Sequence, residues 1–151
     1  MIEKKNFYIN GKWVSPTKPN DFEVIDPSTE EPFAIISLGS KEDADKAINA
    51  AKIAFESWRE TTKEERLKLL EKFDEIYNRR WDEMVKAQST EMGAPLDFAS
   101  ETHTKMGADI SKNTIEILKD FNFEHQFDPK SNNQIRYEPI GVCGLITPWN
   151  F

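Results

Sequence analysis

The sequence predicts an α/β fold with an incomplete doubly wound sheet, and three observations carry that prediction. Residues 7–36 hold short apolar segments punctuated by turn residues, and residues 40–121 hold apolar side chains recurring at steps of three and four. Residues 140–147 form an apolar, glycine-interrupted run of the kind that lies buried on both faces of a parallel sheet.

The opening segments predict strands. Tyr8-Ile9, Asn10-Gly11 and Lys12-Trp13-Val14 make a hairpin, because Asn-Gly supplies the two positive-φ positions of a type I′ turn. Phe22-Glu23-Val24-Ile25 and Phe33-Ala34-Ile35-Ile36 are two further strands, separated by the turn-rich Asp26-Pro27-Ser28-Thr29. Together they predict a β-meander that carries no cluster of reactive side chains.

From Ser40 the period becomes helical. Ser40 caps a first helix with Glu42 and Asp43 in its first turn, where carboxylates meet the positive end of the helix dipole. Ala44, Ala47, Ile48, Ala51, Phe55 and Trp58 then fall on one stripe expected to face a core. Thr62 and Glu65 form a capping box for a second helix, whose expected buried face is Leu67, Leu70, Phe73, Tyr77 and Trp81, with a break near Asn78. Gly93-Ala94-Pro95 is a stop signal. A third helical stretch over 96–121 places Leu96, Ala99, His103, Met106, Ile110, Thr114, Ile117 and Phe121 on one face. Residues 128–133 are a polar loop, and 134–138 resume as a strand.

Composition excludes whole classes of function. The 151 residues carry 20 Lys+Arg against 27 Asp+Glu, a net charge of −7, which lacks the basic surplus a nucleic-acid partner requires. No apolar run approaches the roughly 20 residues of a membrane-spanning helix, and Met1-Ile2-Glu3-Lys4-Lys5-Asn6 lacks the apolar core of a secretory signal. A cytoplasmic location is expected. The single Cys143 fits a reducing compartment. A chain of this length is expected to build one core without disulfides or metals.

The 140–147 run ends in Pro148-Trp149-Asn150-Phe151. A parallel strand needs neighbours reached through crossover helices, and none follows. The expectation is an unfinished fold of marginal stability.

Tyr137-Glu138-Pro139-Ile140-Gly141-Val142-Cys143-Gly144-Leu145-Ile146-Thr147-Pro148-Trp149-Asn150-Phe151 closely resembles the aldehyde dehydrogenase superfamily. Earlier segments resemble the same family in the same order: Tyr8-Ile9-Asn10-Gly11 with Trp13-Val14, Asp26-Pro27-Ser28-Thr29-Glu30-Glu31, Ala54-Phe55 to Trp58, Glu65-Arg66, and Glu91-Met92-Gly93-Ala94-Pro95. The resemblance covers essentially the whole chain and corresponds to the N-terminal third of the family's enzymes. It implies that 1–124 is the N-terminal part of a cofactor-binding domain, 125–139 the strands of an oligomerisation arm, and 140–151 the first strand of the dinucleotide-binding sheet.

The family's reaction oxidises an aldehyde to a carboxylic acid with NAD or NADP. A cysteine thiolate adds to the carbonyl, hydride leaves the thiohemiacetal for the nicotinamide, and a glutamate-activated water releases the acid. The first step turns a carbonyl oxygen into an oxyanion. By resemblance Asn150 is a side-chain donor to that oxygen; an amide suits the task because it is neutral at every working pH and donates without titrating. Pro148 fixes its own φ and holds Thr147 extended, which stiffens the approach to Asn150. By the same resemblance Ile146, Thr147, Pro148 and Trp149 line the cofactor cleft beyond the carboxyl end of the strand.

Other residues fit structural roles. Cys143 sits between Val142 and Gly144 with no base at hand, and apolar surroundings raise a thiol's pKa, so a packing role is expected. His103 is expected in the helical core, His125 in solvent, and neither has a second ligand at metal spacing. Glu42-Asp43 and Lys63-Glu64-Glu65-Arg66 are expected as helix caps and solvated faces. No glycine-rich phosphate loop is present. The expected partners are a small aldehyde substrate and further copies in a homo-oligomer. The chain alone is expected to be inactive, lacking the nucleophile and the general base. A helical binding or subunit-pairing module is the alternative.

Overall fold

The structure is a computed structural model that describes residues 1–148. Strands β1 (Ile2–Lys4), β4 (Asp21–Asp26) and β5 (Glu31–Ser37) form one sheet in the order β1-β5-β4, with β1 parallel and β4 antiparallel to β5. Strands β2 (Phe7–Ile9) and β3 (Lys12–Val14) pair separately as the expected hairpin, with Asn10 and Gly11 at φ 51° and 73°. The opening is therefore not a single meander. Ile2-Glu3-Lys4 shows no alternation long enough to mark a strand, and its pairing with β5 spans some thirty residues that no local pattern encodes. Between Val24 and Ile25 the β4–β5 register shifts, at the point where Ile25 faces Pro32, which cannot donate to the ladder.

Helix α1 (Lys41–Trp58) starts on the expected Ser40 cap, which is completed by Asp43. Asp43 is buried and accepts from Thr17 Oγ1 at 2.5 Å, Thr17 N at 2.9 Å, Ser40 Oγ at 2.8 Å and Ser40 N at 3.0 Å. These donors, the Thr17 hydroxyl foremost, hold its carboxyl well below the usual carboxylate range. The stripe expected on α1 stays largely in solvent: β2 reaches only its start, Phe55 is half-buried, and Ala44, Ala47, Ile48, Ala51 and Trp58 are exposed.

Helix α2 (Lys63–Arg79) starts on the Thr62–Glu65 capping box. Leu67, Leu70 and Tyr77 are half-buried on it, whereas Phe73 is exposed. The break comes two residues later than Asn78. Arg80 leaves helical geometry at φ −99°, ψ 23°, with its N–H shared between the Ile76 and Tyr77 carbonyls, and α3 (Trp81–Met92) follows. Asn78 stays helical, with its side-chain amide donating to the Asp74 carbonyl at 2.8 Å. Gly93 ends α3 in the left-handed region at φ 70°, and a Cβ there would lie 2.9 Å from Pro27 Cγ, so the stop also seats α3 on the β4–β5 turn.

The stretch over 96–121 is helical but not in one phase. A short α4 (Leu96–Phe98) passes into a π-helical turn over Ala99–Thr104, where the Lys105 N–H reaches back five residues to the Ser100 carbonyl, and then into α5 (Lys105–Asp120). The wide turn advances the packed face by one residue. Ala99 and Thr104 are fully buried; beyond them Ser111, Ile115 and Leu118 face inward in place of the expected Ile110, Thr114 and Ile117, while Met106 is half-buried beside Gly107. Ile110 and Ile117 are 60% and 67% exposed. An uninterrupted period of 3.6 residues cannot anticipate this step. Tyr77 explains what the shifted face meets: its hydroxyl donates to the Thr104 carbonyl at 3.1 Å, and a Cβ on Gly107 would collide with its ring and hydroxyl oxygen. Burial raises the pKa of that hydroxyl.

A hairpin of β6 (Glu124–Gln126) and β7 (Gln134–Arg136) closes over the 128–133 loop. Residues 140–148 then run without pairing: Ile140, Leu145 and Ile146 are 94%, 88% and 98% exposed. The buried parallel strand expected at 140–147 does not form among the described residues: the segment joins none of the three small sheets, and no crossover helix brings it a parallel neighbour. The fully buried apolar residues described are Ala34, Ala99 and Ile115. The accessible surface of 11952 Å² exceeds the ~7,900 Å² of a compact monomer of this mass, so the expected self-sufficient core is not built.

Two outcomes follow from this packing. Gly107→Ala should destabilise the chain by about 1–2 kcal/mol even after alanine's better helix propensity, a fall in Tm of roughly 2–8 °C in calorimetry. Asp43→Asn should lower Tm at neutral pH. The carboxyl's folded pKa is depressed, so its stabilisation is present above the unfolded value of about 3.9 and lost as pH falls through the folded one. Thermal melts between about pH 3 and pH 7 should show the gap between parent and variant narrowing on the acid side.

Candidate functional site

The residues ahead of the 140–148 segment form a cleft of about 310 Å³ between the α1–α2 turn and the β6–β7 hairpin, lined among others by Arg59, Lys63, Arg66, Phe123, Arg136 and Tyr137. The turn is tied by hydroxyl and guanidinium groups. Thr61 Oγ1 donates to the Trp58 carbonyl at 2.7 Å, where α1 leaves its last carbonyls without helical partners. Arg66, one turn into α2, donates through Nε to Thr61 Oγ1 at 2.9 Å and through an Nη to the Arg59 carbonyl at 3.2 Å. Its guanidinium also lies 5.8 Å from the centroid of the Phe123 ring. Lys63 Nζ donates to the Lys119 carbonyl at 2.8 Å, joining the start of α2 to the end of α5.

Arg136 pairs with Glu124 across the hairpin at 3.0 Å and approaches Glu138 at 3.5 Å, with all three side chains more than half exposed. Such pairs contribute little. At the hairpin's base the Tyr137 N–H donates to the Phe123 carbonyl at 2.8 Å. Above that bond Phe121 stacks edge-on against Phe123 at 4.9 Å and tilts against Tyr137 at 5.4 Å. The chain then departs through Glu138-Pro139-Ile140.

Of the residues expected to line a cofactor cleft, Ile146, Thr147 and Pro148 are adjacent and exposed. Trp149 and Asn150 lie outside the described residues. Cys143 is exposed, contrary to the expected packing role, because the strand that would have buried it is not formed; its thiol faces the Gly141 carbonyl at 3.8 Å. His103 is half-buried against Phe98 at 4.9 Å, and His125 is exposed on β6 near Tyr137. Among the described residues no three His, Cys, Asp or Glu side chains are grouped to hold a metal ion, and no helix is long and apolar enough to cross a membrane.

Asp43 and Glu65 cap their helices as expected. Hydrogen bonds from the Thr62 N–H and hydroxyl lower the pKa of Glu65. Lys63 and Arg66 instead make tertiary contacts, so their run is not merely a solvated face. Arg66, Phe123 and Tyr137 are the cleft residues that sequence patterning misses. The signal available was the Arg66 position itself, one turn after a cap and eight residues after the end of α1.

The Aldehyde dehydrogenase family model matches residues 13–151. A 3-succinoylsemialdehyde-pyridine dehydrogenase from a Pseudomonas species is 41% identical over 152 residues, covering 100% of this chain and 31% of that protein. Among solved structures, an aldehyde dehydrogenase from Bartonella henselae aligns with a TM-score of 0.85 at 49% identity, over 87% of this chain and 28% of its own. The C291A mutant of aldehyde dehydrogenase C from Pseudomonas syringae, crystallised with NAD+ and octanal, aligns with a TM-score of 0.91 at 36% identity, over 97% and 30%. The chain thus spans about a third of the length of these relatives. A match that runs from the β3 strand to the final residue, with the same α/β architecture, places this chain in the aldehyde dehydrogenase family.

Proposed function

We propose that this chain is the N-terminal portion of an aldehyde dehydrogenase that oxidises an aldehyde to a carboxylic acid with NAD or NADP through a thiohemiacetal. The observation that carries this is the reach of the family match through residue 151, which includes Pro148-Trp149-Asn150-Phe151. In that enzyme the Asn150 carboxamide donates a hydrogen bond to the substrate oxygen as it gains negative charge, a neutral donor where a carboxylate would repel. Ile146, Thr147, Pro148 and Trp149 form one side of the dinucleotide cleft, and the nicotinamide supplies the hydride acceptor. The relative crystallised with NAD+ and octanal supports this substrate and cofactor class.

The nucleophile comes from elsewhere. Cys143 is the sole cysteine of the sequence; it is exposed, and among the described residues its thiol meets the Gly141 carbonyl rather than a base. The β6–β7 hairpin, two strands with solvent-facing edges, serves as a subunit-pairing arm in a homo-oligomer. The work is done in the cytoplasm.

In a full-length aldehyde dehydrogenase polypeptide carrying this segment, Asn150→Ala should lower kcat by about 10²–10³ with little change in KM for the aldehyde. Undiminished turnover would remove the oxyanion role. The 151-residue chain alone should give no NADH above a no-protein control with a panel of aliphatic and aromatic aldehydes; turnover above that control would show that Cys143 suffices as nucleophile.

A further inference from the structure

We propose that Arg66 is the positioning residue of the 138–148 segment: its guanidinium joins the end of α1, the first turn of α2 and the base of the β6–β7 hairpin, and so sets where the chain departs toward Asn150. The catalytic consequence rests on the function proposed above, in which that segment carries the oxyanion donor.

Three contacts define the joint. The Arg59 carbonyl and Thr61 Oγ1 accept from two different edges of the guanidinium, at 3.2 Å and 2.9 Å, and the Phe123 ring lies 5.8 Å from its carbon. The positive charge also stands at the C-terminal end of α1, where the helix dipole favours a cation. Only a planar cation with donors on separate edges meets two acceptors and a ring together; an ammonium presents a point charge.

The joint then passes to the departing chain through touching groups. Phe123 is held through its ring by Arg66, and its carbonyl accepts the Tyr137 N–H at 2.8 Å, the last backbone hydrogen bond before Glu138. Phe121 bridges the Phe123 and Tyr137 rings. Beyond Tyr137, Pro139 fixes φ one residue before Ile140. Arg136, which also lines the cleft, is engaged with exposed carboxylates and has no such path.

The test compares hydrogen exchange in the 151-residue chain with that in its Arg66→Ala, Arg66→Lys and Phe123→Leu variants. All three variants should exchange the Tyr137 amide about tenfold faster while Ile115, packed at the α2–α5 contact, keeps its rate. Phe123→Leu leaves α2 untouched and so stands in if Arg66→Ala fails to fold. Equal exchange at Tyr137 in parent and variants, acceleration spread equally to Ile115, or full rescue by Arg66→Lys each overturns the joint. In the full-length polypeptide, Arg66→Lys should lower kcat about tenfold with KM for the aldehyde unchanged, and should add nothing on an Asn150→Ala background. A silent Asn150→Ala with Tyr137 exchange still dependent on Arg66 sinks the catalytic function and leaves the joint standing. A large Asn150→Ala effect with a silent Arg66→Lys sinks the positioning role alone.

Discussion

The contact between Tyr77 and Gly107 is the constraint from which the helical layer follows. A tyrosine ring can lie against a helix backbone only where the facing residue has no side chain, and its hydroxyl then needs an acceptor; the Thr104 carbonyl, in the π-helical turn, provides one. The two requirements fix the rotation of α5 against α2. That rotation brings Ser111, Ile115 and Leu118 inward and leaves Ile110 and Ile117 in solvent. It also determines where α5 ends, with Lys119 beneath Lys63 and Phe121 beside Phe123 and Tyr137. The hairpin and the departing chain inherit their placement from a contact made thirty residues upstream.

What could be read from the sequence was what depends on neighbours along the chain. The Ser40 cap, the Thr62–Glu65 box, the Asn10-Gly11 turn and the Gly93 stop each involve residues within four positions, and all are found. Long-range features were hidden for identifiable reasons. Pairing of Ile2-Glu3-Lys4 with β5 depends on a partner thirty residues away. The face of α5 was displaced by one inserted residue in a turn that has no composition of its own. Arg66 sat in a charge run indistinguishable by type from an exposed one, and its contacts with Arg59, Thr61 and the Phe123 ring separate it from its neighbours.

The candidate site was legible in a different way. Nothing in the periodicity of 140–147 says more than an apolar strand, and among the described residues even that strand is unpaired. The specific information lies in the order Pro148-Trp149-Asn150-Phe151, a pattern whose meaning comes from the family and not from local propensity. Local physics does account for the choice of side chain. A buried acceptor with four donors, as at Asp43, remains ionised and rigid. Stabilising a transient anion calls for the opposite, a group that carries hydrogen and never charge.

Two of the cleft's arginines, Arg66 and Arg136, show why the exit of the chain is anchored on one side. The ion pairs of Arg136 join groups more than half exposed, so salt and water weaken them at physiological ionic strength, where the screening length is roughly 8 Å. The acceptors of Arg66 are a neutral carbonyl and a neutral hydroxyl, and its third partner is a ring face. Removing either acceptor would leave no opposite charge behind, and neither hydrogen bond depends on a carboxylate. The side of the hairpin that carries Phe123 and the Tyr137 amide is therefore held by contacts that persist where the Glu124–Arg136 side loosens. A hairpin fastened at its base and loose at its outer edge can adjust that edge to a neighbouring strand without moving the point at which residue 138 leaves.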